Sequence, residues 1–418
     1  MLRVSLPLVL AAALTAQDPQ SDLLPRFRAH VKETLRRLPD YTCLQTTERT
    51  RREAKTAAAR KLDTLRLQVA LIGRKERYSW ADAPKFEERE LRDIIGKGVI
   101  NTGSYAAHIQ HVLLSPATEF AAKGTEKANG RDAARFDFEI PVEHSSFKIS
   151  VPPEETEVGA KGSIWMDPES LDLLRLEVKA DEIPRELGID RLTETIDYSR
   201  AKLGDEIFLL PSSAVFSMVD VSGEEHRNST RFGACRQFHA ESKVRFDAED
   251  SAPTAPVTES AQAPKEIPER LSVEMTLDHE VDAANSSLGD AVRAVVSKPA
   301  RKGETIVIPE GAVIHGRLVR IERDNRPFDH WVLGLEMHTL EIGEHRADIR
   351  MTMADAGPAP GLLRQTKSMD PVFTKRRTTR FDILVREKPR GEGVLHWDAK
   401  QPKLRKGLKM RWITGDEE

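Results

Sequence analysis

Apolar positions in this chain fall first at helical spacing and then, almost throughout, at the spacing of strands. Leu23, Leu24, Phe27, Val31, Leu35 and Leu38 recur every three or four residues with Arg and Lys between them. That spacing predicts an amphipathic helix, which Pro39-Asp40 stops. Tyr41 to Arg52 is Thr-rich and reads as extended. Thr64 to Ile72 sets Leu65, Leu67, Val69 and Leu71 against polar or small neighbours, the period of two of a half-buried strand, and Arg77 to Trp80 continues it as a hairpin. Ser104 to Ala121 returns to helical spacing through Tyr105, Ile109, Val112, Leu113 and Phe120, with Pro116 splitting it. Strands resume at 135–140, 145–151, 162–167, 173–179, 192–198, 206–210, 214–221 and 235–246. Consecutive strands joined by short turns predict an antiparallel sheet or open barrel.

The pattern breaks after Asp247. Residues 248–267 are rich in Ala, Pro, Ser, Thr and Glu, and up to Glu266 the only large apolar residue is Val257. This composition predicts a flexible linker between domains. A second β-rich run follows at 271–277, 292–296, 305–308, 313–321, 331–342 and 345–353, punctuated by Gly289, Gly303, Gly311 and Gly343. Two last strands fall at 393–397 and 409–414. Short strands broken by glycine turns predict a small barrel or sandwich over 268–418.

The first residues bear on compartment. Met1-Leu2-Arg3 is a short positive start, Leu6 to Leu14 is apolar, and Ala16 is followed by the polar Gln17-Asp18-Pro19. Residues 1–16 therefore read as a secretory signal peptide. The apolar run is too short to span a bilayer, and no later segment is apolar enough, so no transmembrane segment is expected in the mature chain. Export to the periplasm or outer envelope of a bacterium is the expectation. Only two cysteines are present, Cys43 and Cys235. In an oxidising compartment such a pair predicts a disulfide, and two separate buried thiols are the alternative.

Charge adds little to this. Charged residues are 31% of the chain and the formal net charge is −3, which gives no global bias toward nucleic acid. Arg364 to Arg411 carries 15 Lys/Arg against 5 Asp/Glu. That stretch reads as solvated strands and loops, or as a basic face for a polyanionic surface.

Motifs for chemistry are sparse. His108 and His111 sit three apart on the expected helix, but no acid or thiol completes a metal set in sequence. His315, His330, His338 and His345 lie on expected strands, where exposed histidines are common. Ser145–Lys148 and Ser199–Lys202 match Ser-x-x-Lys without any supporting motif. No metalloprotease helix, nucleophile elbow, phosphate loop or dinucleotide fingerprint is present. No catalytic, cofactor or metal site is expected, although carboxylates brought together by folding could still form a hydrolase site.

Two stretches resemble known families. Gly162-Ser163-Ile164-Trp165-Met166-Asp167-Pro168-Glu169-Ser170, followed by Leu174-Arg175-Leu176-Glu177, resembles a hairpin of periplasmic lipoprotein carriers of the LolA and RseB/MucB type. By element order the resemblance runs over roughly residues 20 to 247. It implies a mainly β (α+β) domain over 17–247, an antiparallel half-barrel with covering helices, whose concavity takes acyl chains. In such a fold Trp80, Phe136, Phe138 and Trp165 are candidate ligand-binding residues, against the plainer reading of core packing. Leu288 to Val296 and Ile308 to Arg317 resemble the β-barrel domain of TrbI-like conjugation and type IV secretion proteins. There Pro309 and Gly311 suit a tight turn. The leading expectation is a non-catalytic envelope protein binding a lipid or a lipoprotein acyl chain, with the second domain docking to an envelope protein partner. The alternative is a scaffold with a solid first domain, attached to a partner or polyanionic surface.

Overall fold

The computed structural model describes residues 22–54, 58–73, 75–81, 83, 86, 91–95, 99, 108–151, 154–238, 267–324, 329–366, 382–384, 391–398, 400 and 403–415. The expected signal peptide lies outside them, as does the expected linker except Ile267. One helix opens the chain, α1 (Leu23–Arg37). Eleven strands follow: β1 (Tyr41–Arg52), β2 (Arg60–Ile72), β3 (Lys75–Trp80), β4 (Glu119–Ala128), β5 (Arg131–Ile140), β6 (Phe147–Val151), β7 (Glu154–Met166), β8 (Leu173–Asp181), β9 (Ile189–Leu203), β10 (Glu206–Asp220) and β11 (Glu225–Gln237). They hydrogen-bond in the order β3-β2-β1-β11-β10-β9-β8-β7-β5-β4, with β6 on β7. The fold is thus mainly β, and the sheet is of the antiparallel half-barrel kind. By contacts the chain forms two compact units, one of Met1–Pro39 with Gly103–Ser212, the other of Asp40–Thr102 with Ser213–Glu418.

In the first unit, period-two alternation sorts the strands cleanly. Phe136, Phe138, Ile140, Ile164, Met166, Leu176, Val178, Ile196 and Tyr198 are buried. Their in-between neighbours carry charge instead, in pairs such as Arg135 with Asp137 and Arg175 with Asp197. Asn129 and Gly130 both take positive φ, 49° and 77°, which lets a two-residue turn join β4 to β5. Gly162 has a different reason. Opposite it stands Phe138, and a Cβ at Gly162 would sit 1.9 Å from the Glu177 carbonyl oxygen and 3.0 Å from the Phe138 ring. Only glycine lets the strands and that ring approach so closely. Helix α1 buries Leu23, Phe27 and Val31, which lie on one stripe. Each such side chain contributes about 1.5–3 kcal/mol of burial. The helix expected across 104–121 is much shorter in the described residues. A π-helical turn spans Gln110–Leu114 and ends at Ser115, before Pro116, and Phe120 belongs to β4.

In the second unit, β1 pairs with β2 on one side and β11 on the other. Cys43 and Cys235 are disulfide-bonded across the β1–β11 pair. The C-terminal strands form an eight-stranded sheet in the order 345–348, 330–342, 313–324, 291–296, 272–277, 409–414, 351–356, with 393–398 on the far side of 330–342. Strand 393–398 comes close to strand 351–356: Gly391 N donates to Thr352 Oγ1 at 3.0 Å, and a Cβ at Gly393 would meet both the Trp412 ring and Met353. Val273, Met275, Ala294, Ile314, Leu333, Leu335, Met351, Leu395, Trp397 and Trp412 fill the core between them.

The same unit also shows how an edge is covered. β3 pairs only with the second half of β2. Along the first half, Leu288 takes the place of a neighbour: its N–H donates to Thr64 O at 2.6 Å and its carbonyl accepts from Arg66 N at 2.8 Å. Gly289 follows at φ 91°, with Arg66 O and the Trp80 ring where a Cβ would be. Asp290 accepts from Arg66 Nη1 at 3.2 Å. An unpaired strand edge is thereby closed by a loop.

Candidate functional site

A groove in the first unit lies between α1 and the strands β8 to β10. Its floor starts at the turn after β7. Asp167 Oδ1 accepts from Glu169 N at 2.9 Å and Ser170 N at 3.1 Å, and Leu171 N donates to Asp167 O at 2.9 Å. An aspartate before proline forms such turns readily. The outcome is unusual: Leu171 is held at φ 59°, a region that costs a non-glycine residue about 1–2 kcal/mol. Leu171, Asp172 and Leu173 then pass along the groove. From above come Val31, Thr34, Leu35 and Ile109, and from β10 come Ile207, Phe208 and Leu209. The cavity has a volume of about 290 Å³. Ile207, at the rim, is 67% exposed, which is high for so large an apolar side chain.

Polar groups stand at the lip. The Asp172 side chain is buried and accepts from Arg200 Nε at 2.8 Å. Arg37 pairs with Glu206, and both Arg37 and His30 line the groove. What this arrangement offers is an apolar trough with fixed charge at its mouth. Such concave, mostly apolar sites with a few placed polar groups bind small molecules by burial.

The residues singled out in the sequence are not brought together here, and none of the four aromatics lines the groove. Phe136 and Phe138 are packed in the first unit, with Phe138 6.2 Å from the Phe120 ring. Trp165 sits on the opposite face of β7 from Ile164 and Met166. Its indole N–H donates to Glu126 at 3.1 Å, and the Arg135 guanidinium lies 5.4 Å over its ring. Arg135, with Trp165 assisting, holds the exposed Glu126 carboxyl below its ordinary range. Trp80 is in the second unit, buried between Gly289 and the Arg317 guanidinium, which is 5.6 Å from its ring. The groove residues themselves were readable only in part. The α1 stripe gave Val31 and Leu35, and the run Ile207-Phe208-Leu209 breaks strand alternation, a signal that one stretch is apolar on both faces.

Histidines gather in two places. His108 is buried with its Nε2 3.5 Å from Glu194 and its ring 5.0 Å from Phe147. Burial and then His108 lower the pKa of His111. In the C-terminal sheet His330 Nε2 and His396 Nδ1 are 3.0 Å apart. Burial lowers His396 and His338 to about 4 each. Among the described residues no group of three or more His, Cys, Asp or Glu is arranged to hold a metal ion. No described helix is long and apolar enough to cross a membrane.

Comparison with known proteins gives likeness at the level of structure. No protein-family model and no curated protein matches the sequence. Among solved structures, a LolA superfamily protein from Nitrosomonas europaea is similar at TM-score 0.28 and 9% identity, over 53% of this chain and 96% of that one. The domain of an outer membrane lipoprotein-sorting protein from Vibrio parahaemolyticus is similar at TM-score 0.27 and 12% identity, over 51% and 93%. A DUF1329 family protein from Desulfovibrio piger is similar at TM-score 0.28 and 9% identity, over 53% and 94%. Similarity this weak says nothing about what this chain binds. The resemblance of 288–317 to TrbI-like barrels is not confirmed by these comparisons.

Proposed function

We propose that this chain is a non-catalytic protein of a bacterial envelope that binds one apolar chain, such as a lipid or lipoprotein acyl chain, in the groove beneath α1. The observation that carries the reading is the cavity of about 290 Å³ between α1 and β8–β10, lined by Val31, Leu35, Ile109, Leu171, Leu173, Phe208 and Leu209. Its volume is at the small end of ligand cavities, which run from about 300 to 1,000 Å³, so a single alkyl chain suits it better than a diacyl lipid. Burial of that chain supplies the affinity, with no covalent step. The export signal read at 1–16 and the Cys43–Cys235 disulfide fit an oxidising compartment. In this reading the C-terminal strands dock the carrier to an envelope partner.

The test is native mass spectrometry of the full chain made in an oxidising compartment, beside uptake of a fluorescent fatty acid. Co-purified lipid, or uptake that Leu35→Trp abolishes, supports the groove. A ligand-free chain that takes up no fatty acid sinks it and leaves the scaffold reading, in which the basic stretch Arg364 to Arg411 meets a polyanionic surface.

A further inference from the structure

We infer that the groove selects a single-chain amphiphile with an anionic head, and that Arg200 is the residue that reads the head. This rests on the groove being a ligand site. Arg200 lines the cavity together with Asp172. The carboxylate of Asp172 is buried, its side chain only 6% exposed, and it takes hydrogen from the Nε edge of the guanidinium. That contact uses one edge and leaves both terminal nitrogens of Arg200 without a partner among the described residues, on a side chain that is 59% exposed. A guanidinium fixed at Nε and open at its fork is arranged to take a two-oxygen anion. The anchor is itself anchored. Asp172 follows the Asp167 turn that forces Leu171 into positive φ, so its place is set by backbone as well as by the ion pair.

Arg37 and His30 also line the groove, and Arg37 is paired with Glu206, so the open fork of Arg200 is the feature that would read a head group. An incoming carboxylate or phosphate monoester meets Arg200's open fork, and its chain lies over Leu171, Leu173, Phe208 and Leu35. A neutral head gains nothing from the fork. A cationic head is repelled by it.

Isothermal titration of the full chain below micelle formation separates these cases. The probes are dodecanoate, dodecyl phosphate, 1-dodecanol and dodecyltrimethylammonium. One or both anions should bind about tenfold tighter than dodecanol, and the ammonium weakest. Whichever anion is tighter identifies the head as carboxylate or phosphate. Arg200→Gln together with Asp172→Asn, which leaves no buried carboxylate unpaired, should bring the anions down about tenfold, to the level of dodecanol. Arg200→Lys, which keeps the charge and loses the fork, should fall between. Equal binding of all four probes, unchanged in that double variant, overturns the assignment of Arg200 and leaves the apolar groove standing. No binding of any probe overturns the groove itself.

Discussion

From β5 to β9 the buried rows read Phe136 and Phe138, Ile164 and Met166, Leu176 and Val178, Ile196 and Tyr198. In β1 and β11 a buried row reads Gln45, Thr47 and Arg49 with Asn228 and Thr230, and it reaches Asp63 near the start of β2, whose other buried residues, Leu65, Leu67 and Val69 among them, are apolar. The first row is indifferent to what covers it. The second is not. Arg49 donates from Nε to Asp63 at 2.8 Å, Thr47 and Thr230 hydroxyls are 2.9 Å apart, Gln45 Nε2 donates to Thr47, and Asn228 donates to Val99 O at 3.2 Å. Most of this polar row, taken out of water, finds partners within the chain and is positioned by them, while Gln45 Oε1 is buried without a partner among the described residues. An apolar row asks only for apolar cover. That difference predicts greater rigidity in the second unit; the groove proposed to take a ligand lies in the first.

The largest test of the comparison is the staple on the polar side. The Cys43–Cys235 bond closes a loop of 192 positions, so the Cys43→Ser, Cys235→Ser protein should lose about 3–5 kcal/mol in urea unfolding. Hydrogen exchange should rise first in β1 and β11. If it rises first in β5 to β9, the polar side is not the rigid one. Breaking the buried ion pair by Arg49→Met should cost about 3–4 kcal/mol, because Asp63 is left charged and unpaired. Arg49→Met with Asp63→Leu should recover most of that loss. A single variant as stable as the parent would mean the polar row does not hold this region.

On the apolar side the effects should be smaller in stability and larger in binding. Gly162→Ala forces strand β8 and Phe138 to move and should cost about 1–3 kcal/mol. Leu35→Trp should change stability by under about 1 kcal/mol, since it grows into existing space, and yet abolish fatty-acid uptake. A Leu35→Trp protein that still takes up the probe would place the ligand elsewhere.

A separate effect is in pH. His338 and His396 are held to about 4 by burial, below the ordinary 6.5. Their contribution to stability is whole above 6.5 and is lost as pH falls toward 4, because the unfolded chain takes up protons first. The melting temperature should therefore drop between pH 7 and pH 4.5, and drop less in His396→Gln. An equal drop in both proteins would clear His396 of any part.

The same contrast explains what could be read from sequence. Strands with an apolar buried row, such as β2, β5 and β8, announced themselves by alternation. β11 did not, because the residues it buries, Asn228 and Thr230, look like surface. For β10 the alternation predicts two strands, one on either side of Pro211. It is one strand, and its register with β11 begins only at Ser213, past the residue that has no N–H to give. Trp165 lies on the face of β7 opposite Ile164 and Met166, and parity along the strand gives that placement. The groove was half legible. One wall is the stripe of α1, but nothing in the chain's order says that residues 171–173 and 207–209 meet it.

The bond between Cys43 and Cys235 also has a consequence for assembly. β1 has a near neighbour, β2, but its other neighbour and its disulfide partner are both in β11. Synthesis from the first residue delivers β1 early, and the chain must carry it, with one open edge and one free thiol, until β11 arrives. The whole α1-covered unit after Gly103 passes in that interval. The interval is one in which a foreign strand or a wrong thiol can take the place of β11, so the yield of correctly oxidised protein should depend on what attends the growing chain rather than on the final stability of the fold.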